Sequence, residues 1–248
     1  MTFRELRIRR LLGAALALAV FSSCGGGGNE AQGPETVTVV TTQGATTEAG
    51  ATEPSLSEDQ AEALAASMNL RLTDFPAGWR ATPSEESEGC AGIQKLTERY
   101  DVLAHVDSKD FAKGDNTEAS SSAGLFNDEA TARDALNYLE SAAQSEELRD
   151  CLNDFFREQA EGDVTFGDVS VGQLSFPRLG DRSSAWEIVV PVKTQGLSVT
   201  AYIDFVYIVE ENALARVAFS DVLSPFDEQL RENLARLVAD RMQTATGA

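Results

Sequence analysis

Residues 197–209 read Leu197-Ser198-Val199-Thr200-Ala201-Tyr202-Ile203-Asp204-Phe205-Val206-Tyr207-Ile208-Val209. Side chains alternate across a strand, so Leu197, Val199, Ala201, Ile203, Phe205 and Tyr207 share one face, and Tyr202, Val206 and Ile208 share the other. A strand apolar on both faces must be covered on both. This segment therefore demands a sheet with a layer packed on each side.

Outward from it the pattern is that of hairpins. Gln195-Gly196 precedes the run and Glu211-Asn212 follows it, both at turn positions. Trp186, Ile188, Val190 and Val192 alternate with polar neighbours upstream, as do Val169 and Val171 earlier, and Ala213 to Ser220 returns as the next strand. Strands joined in sequence by tight turns form an antiparallel meander. The covering layers are helical. Ser57-Glu58-Asp59-Gln60 is a capping-box pattern that opens a helix over 58–67, with Ala61, Leu64, Ala65 and Met68 on one face. Ile93, Leu96, Tyr100 and Leu103 predict a helix over 92–104, and residues 117–126 suit a strand. Asn127 or Asp128 starts a helix carrying Ala132, Ala135, Leu136, Leu139 and Ala143, and another after Ser145 carries Leu148, Cys151, Leu152 and Phe155. Ser224 and Pro225 are expected to cap and open a last helix with Phe226, Leu230, Leu234, Leu237, Val238 and Met242 inward. The expectation is a single α+β domain over 55–248, an antiparallel sheet meander with helices on both faces.

The amino terminus reads as an address. Arg4, Arg7, Arg9 and Arg10 precede an uncharged apolar run from Leu11 to Phe21. At 1.5 Å per residue that run reaches about 16 Å as a helix. The hydrocarbon core is about 30 Å thick, so the run fits a signal-peptide core better than a membrane span. Ser22-Ser23-Cys24 at its end resembles a bacterial lipobox, with Phe21 where leucine is usual. The resemblance implies a signal peptide over 1–23 and acylation of Cys24, which would anchor the chain in a lipid bilayer. A plain signal peptide with an incidental cysteine is the alternative. Residues 24–54 follow as Gly25 to Gly28 and then a Thr-, Gly- and Ala-rich stretch, with no Lys or Arg between Arg10 and Arg71. Such composition buries too little apolar surface to order itself, and it reads as a flexible tether of roughly 30 Å mean reach.

Without residues 1–23 the chain keeps 16 basic and 39 acidic residues, a net charge of −23. That sign excludes nucleic acid as a partner. Cys90 and Cys151 are the remaining cysteines. In an oxidising compartment such a pair reads as a disulfide, and a metal site would want more ligands than one histidine and two cysteines supply.

The stretch Leu70-Arg71-Leu72-Thr73-Asp74-Phe75-Pro76-Ala77-Gly78-Trp79, a cysteine soon after it, a cysteine in the helix that follows the first strand, and the closing hairpins with their final helix resemble bacterial surface lipoproteins related to the PknH-like extracellular sensor domain, with a PsbP-like fold. That resemblance implies a non-enzymatic scaffold whose sheet bears a groove for a small or lipidic ligand. The family's sensor domain has two disulfides, and this chain has cysteines for one in its folded part.

Chemistry is sparse. His105, in Ala104-His105-Val106-Asp107, is the single histidine, and no serine stands in a Gly-x-Ser-x-Gly context. A surface or loop position is the expectation for it. Asp107, Asp110, Asp115 and Glu118 look loosely like calcium ligands but miss EF-hand spacing, which leaves a solvated acidic loop. Nothing calls for a cofactor or a metal. Trp79 and Trp186 are the candidates to line a ligand groove, against the alternative that both belong to the core. The sequence thus predicts a non-enzymatic cell-surface lipoprotein that binds or senses a ligand. An envelope subunit docking a partner protein, or an envelope hydrolase, are the competing readings.

Overall fold

The structure, a computed structural model, describes residues 56–83, 90, 99–160 and 162–247. The signal peptide, Cys24, the tether and most of the expected helix over 92–104 lie outside the described residues.

Four helices and nine strands are described. They are α1 (Glu58–Met68), β1 (Trp79–Thr82), β2 (Val102–Asp107), β3 (Asp110–Lys113), β4 (Thr117–Phe126), α2 (Glu129–Ala143), α3 (Glu146–Glu158), β5 (Thr165–Phe166), β6 (Ser170–Gln173), β7 (Arg182–Thr194), β8 (Leu197–Glu210), β9 (Ala213–Val222) and α4 (Glu228–Thr246). All nine strands belong to one antiparallel sheet ordered β1-β3-β4-β9-β8-β7-β5, with β2 also on β4 and β6 also on β7. The α+β architecture is as expected.

Strand β8 is the spine. Its register with β7 runs from Arg182↔Val209 to Thr194↔Leu197, so Gln195 and Gly196 form a two-residue hairpin loop. Both have positive φ, 51° and 79°, which suits the right-handed twist of the flanking strands. The two faces of β8 enter two separate cores. Ile203, Phe205, Tyr207 and Val209 pack with Ala132, Leu136, Leu139, Leu148 and Leu152 of α2 and α3. Val206 and Ile208 pack with Met68 of α1 and Leu234, Val238 and Met242 of α4. The molecule is therefore a helix–sheet–helix sandwich.

Local chemistry sets the helix ends. Ser57 and Gln60 exchange reciprocal hydrogen bonds that start α1. Asp128 accepts from Thr131 N at 2.8 Å and Ser145 from Leu148 N at 3.1 Å, starting α2 and α3. In α3, Leu148, Leu152 and Phe156 are buried, while Cys151 and Phe155 are half-buried.

Several expectations need correcting. Residues 102–104 are the start of β2, because Val102 and Ala104 pair with Phe126 and Leu125 across a bulge. The last helix opens at Glu228, not Pro225. Asp227 rather than Ser224 is its cap, accepting from Leu230 N at 2.7 Å. Leu237 faces outward, and Ala235 and Ala239 take the inward positions beside Leu234 and Val238. The sequence pattern does not predict β1, β2 or β3 as strands.

Candidate functional site

The sheet face under α2 and α3 is chemically divided, and its parity can be read strand by strand. Residues that are Cα partners in an antiparallel ladder project to the same side. Asp107↔Ser122, Ser122↔Arg216, Arg216↔Tyr207 and Tyr207↔Ser184 thus make one continuous row across β2, β4, β9, β8 and β7. The next row on this face runs Ser120↔Ala218, Ala218↔Phe205 and Phe205↔Trp186. Toward β7 the face is apolar; toward β2 and β4 it is polar. Tyr207 stands where the two halves meet.

The apolar half holds a crevice between the sheet and the two helices. Trp186, Ile188, Phe205 and Tyr207 form its floor, and Leu139 and Leu152 are among the helix residues that close it. Its cavity volume is about 30 Å³, well below the about 300–1,000 Å³ usual for small-molecule sites. The crevice is thus a narrow slot, and α2 and α3 would have to move away from the sheet for a ligand to enter. Trp186 Nε1 donates to Ser184 Oγ at 3.0 Å, so the indole turns its apolar body to the crevice.

The polar half contains Arg216, 3 % exposed. Its Nε and Nη1 are buried and hydrogen-bond to none of the described residues, and the same holds for Ser122 Oγ and Ser220 Oγ on the same face. The opposite core offers a contrast. There Arg231 is also buried, but it is ion-paired to Asp204, although Arg231 Nε and Asp204 Oδ1 are left over. Burial pushes Asp204 up, and Arg231 opposes that. Buried polar groups are nearly always paired, so the unmet donors of Arg216 and of its ladder partner Ser122 ask for an explanation.

The guanidinium is felt by its neighbours. Burial, and then the charge of Arg216, hold the His105 imidazole down to about 3. Burial raises Asp107 and Tyr207, and Arg216 opposes both shifts.

His105 is therefore not the surface or loop residue that the sequence suggested. It lies on β2 opposite Gly124, with its side chain 7 % exposed. Its Nδ1 is 3.8 Å from Asp107 Oδ2, beyond hydrogen-bond range. Ser122 sits on the same face yet bonds to neither, so a serine–base pair is not assembled. Asp107 ends β2, Asp110 opens β3, Asp115 is in the β3–β4 turn and Glu118 is on β4, so strands replace most of the expected acidic loop. Among the described residues no group of three or more His, Cys, Asp and Glu side chains is placed to hold a metal ion.

The two candidate tryptophans lie on opposite sides of the sheet. Trp186 lines the crevice. Trp79 belongs to the other core, where Phe75 and Phe226 lie 4.6 and 6.2 Å from it, centroid to centroid. The turn that carries Trp79 is built by Gly78 at φ 97° and by Asp74. Cys90 and Cys151 are joined in a disulfide with Cα atoms 5.8 Å apart. The bridge fastens Cys90 to α3, beside the core that contains the crevice.

No family model matches the chain. No curated protein is similar enough to be matched. Among solved structures, the chain is similar to the extracellular domain of PknH from Mycobacterium tuberculosis, with a TM-score of 0.44 and 12% identity over 76% of this chain and 97% of that one. It is also similar to LpqN, involved in cell envelope biogenesis of Mycobacterium tuberculosis, with a TM-score of 0.24 and 15% identity over 67% and 78% of the two chains. The expected structural resemblance is thus present, at low sequence identity. Neither likeness is strong enough to carry a function across.

Proposed function

We propose that this chain is a non-enzymatic ligand-binding or sensory domain, held outside a membrane by acylated Cys24. The crevice over Trp186, Phe205 and Tyr207 is the observation that carries the binding reading. It is concave, apolar and bordered by a few polar groups, the usual make-up of a small-molecule site. The basic, then apolar, then Ser22-Ser23-Cys24 amino terminus supports the anchor, and the Cys90–Cys151 disulfide suits an oxidising compartment. Native mass spectrometry of protein taken from its own membranes should reveal a bound small molecule with an apolar body that is lost in Trp186→Ala. Protein that is empty in repeated preparations, and shows no thermal shift with apolar probes, sinks the binding reading. The anchor has a separate test. Cys24→Ser should release the protein from the membrane fraction, and continued membrane association would count against acylation.

A second reading, docking of an envelope partner protein, has one observation in its favour. Leu197 and Leu223 are 66 % and 64 % exposed, and both lie at the hairpin end of β8, where Leu223 N donates to Thr200 O. Leu223 holds a φ of 94°, strained for a residue of its kind. Crosslinking in cells that is unchanged by Leu197→Glu with Leu223→Glu would remove this reading.

A further inference from the structure

The crevice explains the apolar half of the sheet face but leaves the polar half without a purpose. A lone arginine within a sandwich is an expensive residue. Taking a guanidinium out of water costs several kcal/mol unless hydrogen bonds and an opposite charge replace the water. Arg231, in the other core, has Asp204 for this. Arg216 has Asp107 in its field but leaves two donor nitrogens unmet. The Asp107 side chain is 41 % exposed, so it marks the side from which the row opens to solvent. Ser122, the ladder partner of Arg216, adds a buried hydroxyl without a partner beside it. Adjacent unmet donors of this kind form a receptor for an acceptor-rich group. The positive charge among them selects a negative one.

Position fixes what else the ligand must be. Arg216 is the ladder partner of Tyr207, and Tyr207 is part of the crevice floor. Directly opposed residues in such a ladder have Cβ atoms about 5 Å apart. One molecule of modest length can therefore touch both halves.

We propose that the ligand of this crevice is an anionic amphiphile, whose carboxylate or phosphate head group is received by Arg216 with Ser122 beside it, and whose apolar body lies along Tyr207, Phe205 and Trp186. This rests on the ligand-binding reading above and adds the charge and polarity of the ligand to it. Arg216 then contributes donors and charge, Trp186 and Phe205 contribute apolar contact, and Tyr207 spans the junction.

The test uses the full chain and three short probes that stay monomeric in water: octanoate, octyl phosphate and octanol, titrated calorimetrically at pH 7.5. Wild-type protein should bind at least one of the two anions about tenfold or more tightly than octanol, the worth of a charge-assisted hydrogen-bond set. The tighter anion tells a carboxylate head group from a phosphate. Arg216→Met should bring anion and alcohol to parity while octanol affinity stays within about twofold, and Arg216→Lys should keep part of the preference. Trp186→Ala should weaken all three probes alike. Equal binding of anion and alcohol by wild type, or a preference that survives in Arg216→Met, overturns the head-group assignment and leaves the crevice reading standing. Failure of all three probes to bind overturns both.

Discussion

Arg241 of α4 grips Asp74 with two parallel hydrogen bonds, Nη1 to Oδ2 at 2.8 Å and Nη2 to Oδ1 at 2.7 Å. Nη1 also donates to Asn69 O at 2.7 Å. One guanidinium therefore ties the end of α1, the Asp74–Trp79 turn and the last helix together. Burial alone would raise Asp74, but hydrogen bonds from Arg241 and from the Arg71 backbone, with the two arginine charges, outweigh it and hold the carboxyl below its ordinary value. Stability from a lowered carboxylate is fully present above the unfolded value and is lost as the pH falls through the folded one. Asp74→Asn should cost about 3 kcal/mol at pH 7 by urea unfolding, and progressively less as the pH falls below the ordinary carboxylate range and the wild-type carboxyl begins to protonate. An equal cost across that range would mean that the charge has no part in the clamp.

His105 gives a second pH dependence. Its folded value is about 3, against 6.5 for the free imidazole. Between those values the unfolded chain binds a proton that the folded chain refuses, so stability falls as the pH drops from about 6.5 toward 3. The size is of order a few kcal/mol. His105→Leu should flatten that limb of the stability curve. An unchanged slope would show that the imidazole titrates normally in the folded protein.

The disulfide spans a separation of 61 residues in sequence. By the chain-entropy account, reduction should lower stability by ~4 kcal/mol. Intact mass should differ by two hydrogens with and without reductant. Free thiols on both cysteines in exported protein would refute the bridge, and a stability loss well under 1 kcal/mol would argue that the unfolded chain is not constrained by it.

Arg216→Met should raise stability, because an apolar residue of similar reach replaces a poorly compensated buried charge. A structural arginine would do the reverse. Thermal unfolding of the variant without any ligand separates the two outcomes.

Much of this molecule was legible in the sequence, for reasons that can be located. The run from Leu197 to Val209 has no helical period, and its two apolar faces admit only a covered strand. Ser57, Asp128 and Ser145 cap their helices because their side chains meet backbone donors three residues on, a purely local relation. The front half was harder. Trp79–Thr82 and Asp110–Lys113 are four residues each and become strands through pairing with one another, which no local pattern records. Residues 93–103 carry a helical spacing that runs past the point where β4 captures Val102. Trp186 stands among the site candidates that the sequence offers. Arg216 does not, yet the sequence carries a signal for it. It follows Leu214 and precedes Ala218 at the spacing of one strand face, next to a strand covered on both sides, so a buried charge was implied. The burial of His105 is not legible locally, because it depends on β4 and on Arg216 of β9, both distant in sequence.

Strand β4 also constrains the order in which this domain assembles. Its long partner is β9, and Thr117 Oγ1 donates to Asp221 Oδ2 across 104 positions of sequence. The hairpins β7-β8-β9 need only each other, so they form early; β4 must wait, since distant pairing closes a large loop first. A chain threaded outward amino end first presents 117–126 to the surroundings long before 213–222 exists there. A waiting strand with open edges is a template for stray pairing. From Thr117 to Ala123 it offers only threonine, glutamate, alanine and serine, with no large apolar side chain. Pulsed hydrogen exchange during refolding should accordingly show protection over 182–222 before 117–126. The serines that look out of place in the finished sheet are well suited to the interval before it is finished.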